Sequence, residues 1–218
     1  MTSFRSSAAA TLAALVALAT LPVPKPAAAD GSPKPGTFAA FVDEYYAALF
    51  AFEPNQATYA GVHDRDDQLA DLSADSYARR AAGLKKLHER LKALRAGKLT
   101  AAEGIDAEAL DGAVRAELLE IDTVRDWKRN PVVYLSKPAE AIDLLMKRSF
   151  APPAERLKVI IGRLKAAPAL LVAMKANVEN PPREFTDLGL IVAKGSAGFF
   201  KTDLPAWAKT AAGKDEKC

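Results

Sequence analysis

Residues 73–97 read SADSYARRAAGLKKLHERLKALRAG, and this stretch decides the fold class. Leu84, Leu87, Leu91 and Leu94 alternate spacings of three and four, with Tyr77 two turns earlier and charged residues between them. That is the stripe of an amphipathic helix, because residues three and four apart share one helix face. Ser73 supplies an N-cap oxygen and Gly97 a C-terminal stop. Immediately afterwards Thr100-Ala101-Ala102-Glu103 matches the capping box, and Ile105, Leu110, Val114, Leu118, Ile121 and Val124 mark a second stripe that runs toward Asn130-Pro131. A link of about four residues between two long helices predicts an antiparallel helical hairpin.

Helical patterning extends both ways. Upstream, Phe38, Phe41, Val42, Tyr45, Leu49 and Phe52 form an aromatic-rich stripe, and Pro54 restarts the chain in a short helix that Gly61 ends. Downstream, Val132–Leu135 is the one brief β-like run, Pro138 opens a helix through Lys147, and Pro152-Pro153 opens a longer one carrying Leu157, Ile160, Ile161, Leu164, Leu170, Leu171 and Met174. Pro168 is expected to kink or divide it. A last helix spans roughly residues 185–200, with Gly189, Gly195 and Gly198 offering a face for close helix contact. Composition agrees: the 218 residues include 45 alanines and 25 leucines, while valine, isoleucine and threonine together number 28. Strands favour β-branched residues, so an all-β fold is excluded. The expected architecture is all-α, an antiparallel bundle or array of about six to seven helices.

The start of the chain is an address. Arg5 precedes an unbroken apolar run from Ala8 to Leu21, too short to cross a bilayer and of the length of a signal-peptide core. Ala27-Ala28-Ala29 provides the small residues for cleavage before Asp30. The predicted organisation is a signal peptide at 1–29, a flexible spacer at 30–36, a helical domain at 37–204 and a polar tail at 205–218. Export to the periplasm or beyond follows. Cleavage removes Arg5 and Lys25 and no acid, so the formal charge falls from +3 to +1. Nothing in this balance calls for nucleic acid or a membrane surface. The single cysteine, Cys218, excludes a disulfide framework, and it lies too far from the apolar core for lipid attachment there.

Candidate chemistry is sparse. His88-Glu89 begins a helical zinc-protease motif, but Lys92 stands where the second histidine is needed. His88 is expected to be a boundary or solvated residue. His63-Asp64 with Asp66 and Asp67 places imidazole and carboxylates in one loop, yet Leu69 and Asp75 occupy the positions where a calcium loop requires glycine and glutamate. These aspartates are expected to cap turns. Glu117, Glu120 and Asp122 lack the histidines of a di-iron bundle. Trp127 before Lys128 and Arg129 suits a cation–π anchor. Cys218, at the terminus, has neither base nor orienting partner in sequence. No catalytic, cofactor-binding or metal residue is assigned.

Several ordered segments nevertheless resemble the bacterial domain of unknown function 885 family: Pro54 to Asp64 (PNQATYAGVHD), Leu69 to Ser73 (LADLS), Trp127 to Pro131 (WKRNP) with Tyr134, Ala151 to Leu157 (APPAERL), Pro168 to Leu171 (PALL) and Asn177 to Pro182 (NVENPP). The resemblance covers roughly residues 38–200. It implies helical architecture, export and a lineage similar to helical zincin-type metallopeptidases. The family's histidine–glutamate metal signature and its acidic ligand match no position here, so zinc is implied only for a full-length member. The resemblance therefore points to the N-terminal half of a peptidase-like protein, truncated or split, with a C-terminal catalytic half or another protein as partner. The alternative is a free-standing exported helical module that binds a peptide or protein without enzymatic activity.

Overall fold

The computed structural model describes residue 34 and residues 36–213, and the expected signal peptide and Cys218 lie outside them. Every regular element among the described residues is helical. Seven helices have nine residues or more: α1 (Phe38–Phe52), α3 (Ala74–Arg95), α4 (Ala101–Leu119), α6 (Lys137–Lys147), α7 (Pro153–Asn177), α8 (Arg183–Lys201) and α9 (Asp203–Ala211). The short α2 (Pro54–Ala60) and α5 (Val132–Leu135) connect them.

The caps act as expected. Ser73 accepts from the Ser76 amide at 3.2 Å, and Thr100 and Glu103 bond each other's backbone N–H reciprocally. The α3–α4 hairpin buries Leu84, Leu87 and Leu91 with Leu110 and Val114, and α1 lays Phe38, Phe41 and Tyr45 onto the same core. A second core joins Ile142, Leu145, Ile160 and Leu204 from α6, α7 and α9.

The second hairpin helix stops earlier than its stripe suggested. After Leu119 the chain widens into a π-helical turn over Glu120–Val124, and Arg125 then adopts a left-handed backbone at φ 56°, ψ 42°. The extra residue turns the chain so that Trp127 can enter the aromatic core, where it stacks on Tyr77 at 4.5 Å and donates to the Ile121 carbonyl at 3.1 Å. Ile105 and Val124, expected in the buried stripe, are exposed.

Val132–Leu135 forms one helical turn instead of a β-like run. The Asn130 side chain accepts from the Val132 amide at 3.0 Å, and burial of Tyr134 fixes the turn in place. Pro168 does not divide α7; its ring faces solvent, where a missing backbone bond is easily replaced. Gly189 alone of the α8 glycines makes a close approach, since a Cβ there would stand 3.1 Å from Pro131 Cγ, while Gly195 and Gly198 face open space. The expected polar tail at 205–218 is helical to Ala211, because Leu204 and Trp207 pack on the second core and Trp207 lies under the Arg156 guanidinium at 5.3 Å.

The largest departure from pattern lies in α7. Its buried face carries Arg156, Arg163, Leu170 and Asn177 at seven-residue intervals, with Ile160 between, whereas Ile161 and Leu171 are exposed. Each polar member of this spine makes hydrogen bonds, although Arg163 Nε is buried without a partner among the described residues. Arg156 donates to the carbonyls of Ala151, Leu145 and Met146, Arg163 to the Ala141 carbonyl and the Thr58 hydroxyl, and Asn177 to the Leu72 carbonyl and the Tyr134 hydroxyl.

Candidate functional site

The π turn and the aromatic stack build one side of a cleft of about 430 Å³. Phe52 at the end of α1, Tyr77 in α3 and Trp127 form its aromatic wall, with Phe52 edge-on to Tyr77 at 5.7 Å. Leu49, Ile121 and Val133 continue the apolar lining. Glu53 and Lys137 close the rim through a two-oxygen ion pair at 2.7 and 2.8 Å that joins the α1–α2 junction to α6. Glu117 also lines the cleft and is clamped by Arg80, whose Nε and Nη2 donate at 2.6 and 2.7 Å.

Two further carboxylates line the cleft with no cation against them among the described residues. Glu120 is exposed at the π turn, and the Asp126 carboxylate accepts only from the Asn130 side-chain amide at 3.0 Å among the described residues. Tyr77 has 7% of its surface exposed, and its hydroxyl bonds to no described residue. Burial pushes that hydroxyl far above the ordinary tyrosine range, reinforced by Tyr134 and by the nearby carboxylates of Glu53, Glu120 and Asp126. The cleft thus pairs an aromatic wall with residual negative charge, a combination that attracts cations.

The other sequence candidates are drawn into structural bonds. The His63 loop packs against α7, where Asp66 is buried and joined to three partners. Thr58 donates to it at 2.6 Å, His63 Nδ1 lies at 2.9 Å, and Arg163 Nη2 approaches to 4.0 Å. His63 also stacks on Phe150 at 3.8 Å. Asp66 is therefore a buried tie, not a turn cap as expected, and Asp64 and Asp67 stay exposed. Arg163 is fully buried, and desolvation lowers its guanidinium to about 10 against the opposing pull of Asp66 and Asp67. An arginine within an apolar helix, seven residues after another, was the signal available for this network.

His88 is a half-buried boundary residue, the first of the two expected alternatives. Its Nε2 lies 3.0 Å from Asp111, bridging the two hairpin helices. Glu117 and Asp122 pair with Arg80 and Lys85, and Lys128 Nζ stands 5.1 Å over the Trp127 ring as the sequence suggested. No group of three or more histidine, cysteine, aspartate or glutamate side chains suited to a metal ion occurs among the described residues. None of the described helices is long and apolar enough to cross a membrane.

The fold and cleft define an all-helical domain with two cores tied by a buried polar spine. The sequence signature described as "Bacterial protein of unknown function (DUF885)" matches residues 54–217, three quarters of the chain, and the protein belongs to that family. No curated protein matches it. A solved structure of a candidate lipoprotein of unknown function from Shewanella oneidensis is similar, with a TM-score of 0.73 and 25% sequence identity. The match covers 82% of this chain and 32% of that one, so this protein spans about a third of the length of its structural relative.

Proposed function

We propose that this domain is the N-terminal helical wall of a larger, exported, peptidase-like protein, facing a substrate cleft while the catalytic metal site resides in a C-terminal portion, either on the same polypeptide or on a separate chain. The observation that carries this reading is the coverage: most of this chain superimposes on about a third of a longer relative. Exposed aliphatic residues on two long helices, Ile161, Leu171 and Val172 on α7 and Leu188, Leu190 and Ile191 on α8, are what a domain built to pack against further structure would display. The relative's description as a lipoprotein and the apolar run at residues 8–21 both support export. Peptidase character rests on the family resemblance alone.

The purified chain, incubated with zinc and passed over a desalting column, is expected to retain less than stoichiometric metal and to leave a mixed peptide library intact. Stoichiometric zinc together with hydrolysis overturns the proposal. A free-standing binding module is favoured by one observation, that α1, α3, the π turn and Trp127 of this one helical domain together line the aromatic–acidic cleft. The neighbouring gene separates the two readings: a reading frame with a histidine–glutamate zinc motif supports the enzyme wall, and an unrelated neighbour supports the module.

A further inference from the structure

We infer that the cleft between α1, α3 and the π turn binds the cationic end of a lysine or arginine side chain of a peptide, held by Glu120 and Asp126 with the Tyr77 hydroxyl as an additional acceptor. This deepens the reading of the domain as a substrate-facing wall and rests on it for the peptide context. Three independent features converge there.

The first is charge. Of the four carboxylates lining the cleft, Glu53 is neutralised by Lys137 and Glu117 by Arg80, which leaves Glu120 and Asp126 without a cation. Glu120 opens the π turn and Asp126 follows the left-handed Arg125 that ends it, so the local geometry that interrupts the hairpin helix also sets both on the cleft. π turns inside helices recur at functional sites, where an inserted residue redirects a side chain.

The second is an unpartnered donor–acceptor. Tyr77 is more than nine-tenths buried, lines the cleft, and has no hydrogen-bond partner among the described residues. The hydroxyl oxygen is not among the fully enclosed unpaired atoms of the described residues, which are Asn55 Oδ1 and Arg163 Nε, so it remains reachable by a ligand or by solvent. A phenol kept protonated beside carboxylates retains lone pairs that accept from an ammonium or guanidinium N–H.

The third is the wall itself. Phe52, Tyr77 and Trp127 supply an apolar surface along which the methylene stem of a lysine or arginine can lie while its charged end reaches the carboxylates. The protein already seats cations against these rings, the buried Arg80 over Phe52 at 5.4 Å and Lys128 over Trp127 at 5.1 Å. Neutral or acidic side chains gain nothing comparable from the site.

The test is calorimetric titration of the full chain with the blocked tripeptides acetyl-Gly-Arg-Gly-amide, acetyl-Gly-Lys-Gly-amide, acetyl-Gly-norleucine-Gly-amide and acetyl-Gly-Glu-Gly-amide, and with spermidine. Saturable binding of the arginine and lysine peptides is expected, at least tenfold tighter than norleucine, with no binding of the glutamate peptide. The Glu120→Gln/Asp126→Asn variant changes only carboxylates that support no ion pair, so its circular dichroism should match the parent, and the tenfold preference should vanish. Y77F serves as a second variant, with a smaller loss of affinity for both basic peptides. Equal affinities for the arginine and norleucine peptides, or a preference that survives the double substitution, overturns the inference. Binding of spermidine in place of the peptides overturns the peptide assignment. Because these titrations need no metal and no second chain, a loss of selectivity here is distinguishable from the zinc-dependent hydrolysis that would overturn the proposed function.

Discussion

Arg163→Met isolates the buried tie that holds the His63 loop and α2 to α7. Methionine keeps the length and most of the volume of the arginine stem, so cavity formation contributes little. What it removes is the guanidinium that donates to the Ala141 carbonyl at 2.6 Å and to Thr58 Oγ1 at 2.8 Å, and that stands 4.0 Å from the Asp66 carboxylate. Asp66, 3% exposed, is then left with the Thr58 hydroxyl and His63 as its only partners. Leaving one member of a buried ion pair uncompensated costs about 3–5 kcal/mol. For a chain of this size each kcal/mol shifts the melting temperature by about 2–4 °C, which gives a fall of roughly 6–20 °C. Urea unfolding followed by far-ultraviolet circular dichroism measures the free-energy change directly. The decisive comparison is the double variant Arg163→Met/Asp66→Asn. Removing both charges takes away the unpaired carboxylate, so the double variant should be more stable than Arg163→Met alone, with a coupling of about 2 kcal/mol. A loss below 1 kcal/mol in the single variant, or single-variant losses that simply add, would show that solvent reaches Asp66 and that the tie contributes little.

Three further perturbations follow from the same geometry. Gly162→Ala would set a Cβ at 2.9 Å from both the Cβ and the carbonyl oxygen of Asp67, so the 63–68 loop must move, with an expected loss of about 1–3 kcal/mol in the same unfolding assay and no change in helix content. Tyr134→Phe deletes the hydroxyl that donates to the Trp127 carbonyl at 2.6 Å and accepts from Asn177 at 3.0 Å; the orphaned partners cost about 1–3 kcal/mol, and the near-ultraviolet dichroism of the Tyr77–Trp127 stack should weaken. In alkali, Tyr45, Tyr77 and Tyr134 hold their protons in the folded state above the ordinary value of 10.0, chiefly through burial. The unfolded chain gives up those protons first and therefore binds fewer, so stability falls as pH rises above 10. Tyr77→Phe should flatten that fall between pH 10 and 11.5 in urea titrations, and an unchanged slope would refute the burial of its hydroxyl.

The hairpin was legible because its signals are local. Caps at Ser73 and Thr100 and leucines at three-to-four spacing need no knowledge of the rest of the chain. What the pattern misjudged depends on distant residues. The π turn exists because Trp127 must reach Tyr77, fifty positions earlier, and no periodicity within 101–130 records that demand. In α7 the aliphatic Ile161 and Leu171 face solvent while the helix buries Arg156, Arg163 and Asn177, and the last two find partners at Thr58 and Leu72, about a hundred residues away. A rule that counts apolar side chains assigns such a face to solvent. The cleft was hidden for the same reason. Glu120, Asp126 and Tyr77 are ordinary surface or core residues in sequence, and only the interruption of the hairpin helix brings the three together.

The polar spine and the cleft share parts, which gives the buried bonds a function beyond stability. Asn177 ties the end of α7 to the Leu72 carbonyl, immediately before the N-cap of α3, and to the Tyr134 hydroxyl, which in turn holds the Trp127 carbonyl. Both aromatic residues that face each other across the stack, Tyr77 four residues after Ser73 and Trp127 on the turn, are thereby positioned from one amide side chain. In a chain with a single cysteine no disulfide can do this. Hydrogen bonds spanning 105 and 43 residues supply the cross-links instead, and their directionality fixes angles as well as distances. A purely apolar α7 face could bury comparable area, but it would leave the Leu72 carbonyl unpaired and the Tyr134 hydroxyl without its donor, so the wall of the cleft would be free to shift relative to the carboxylates at its mouth.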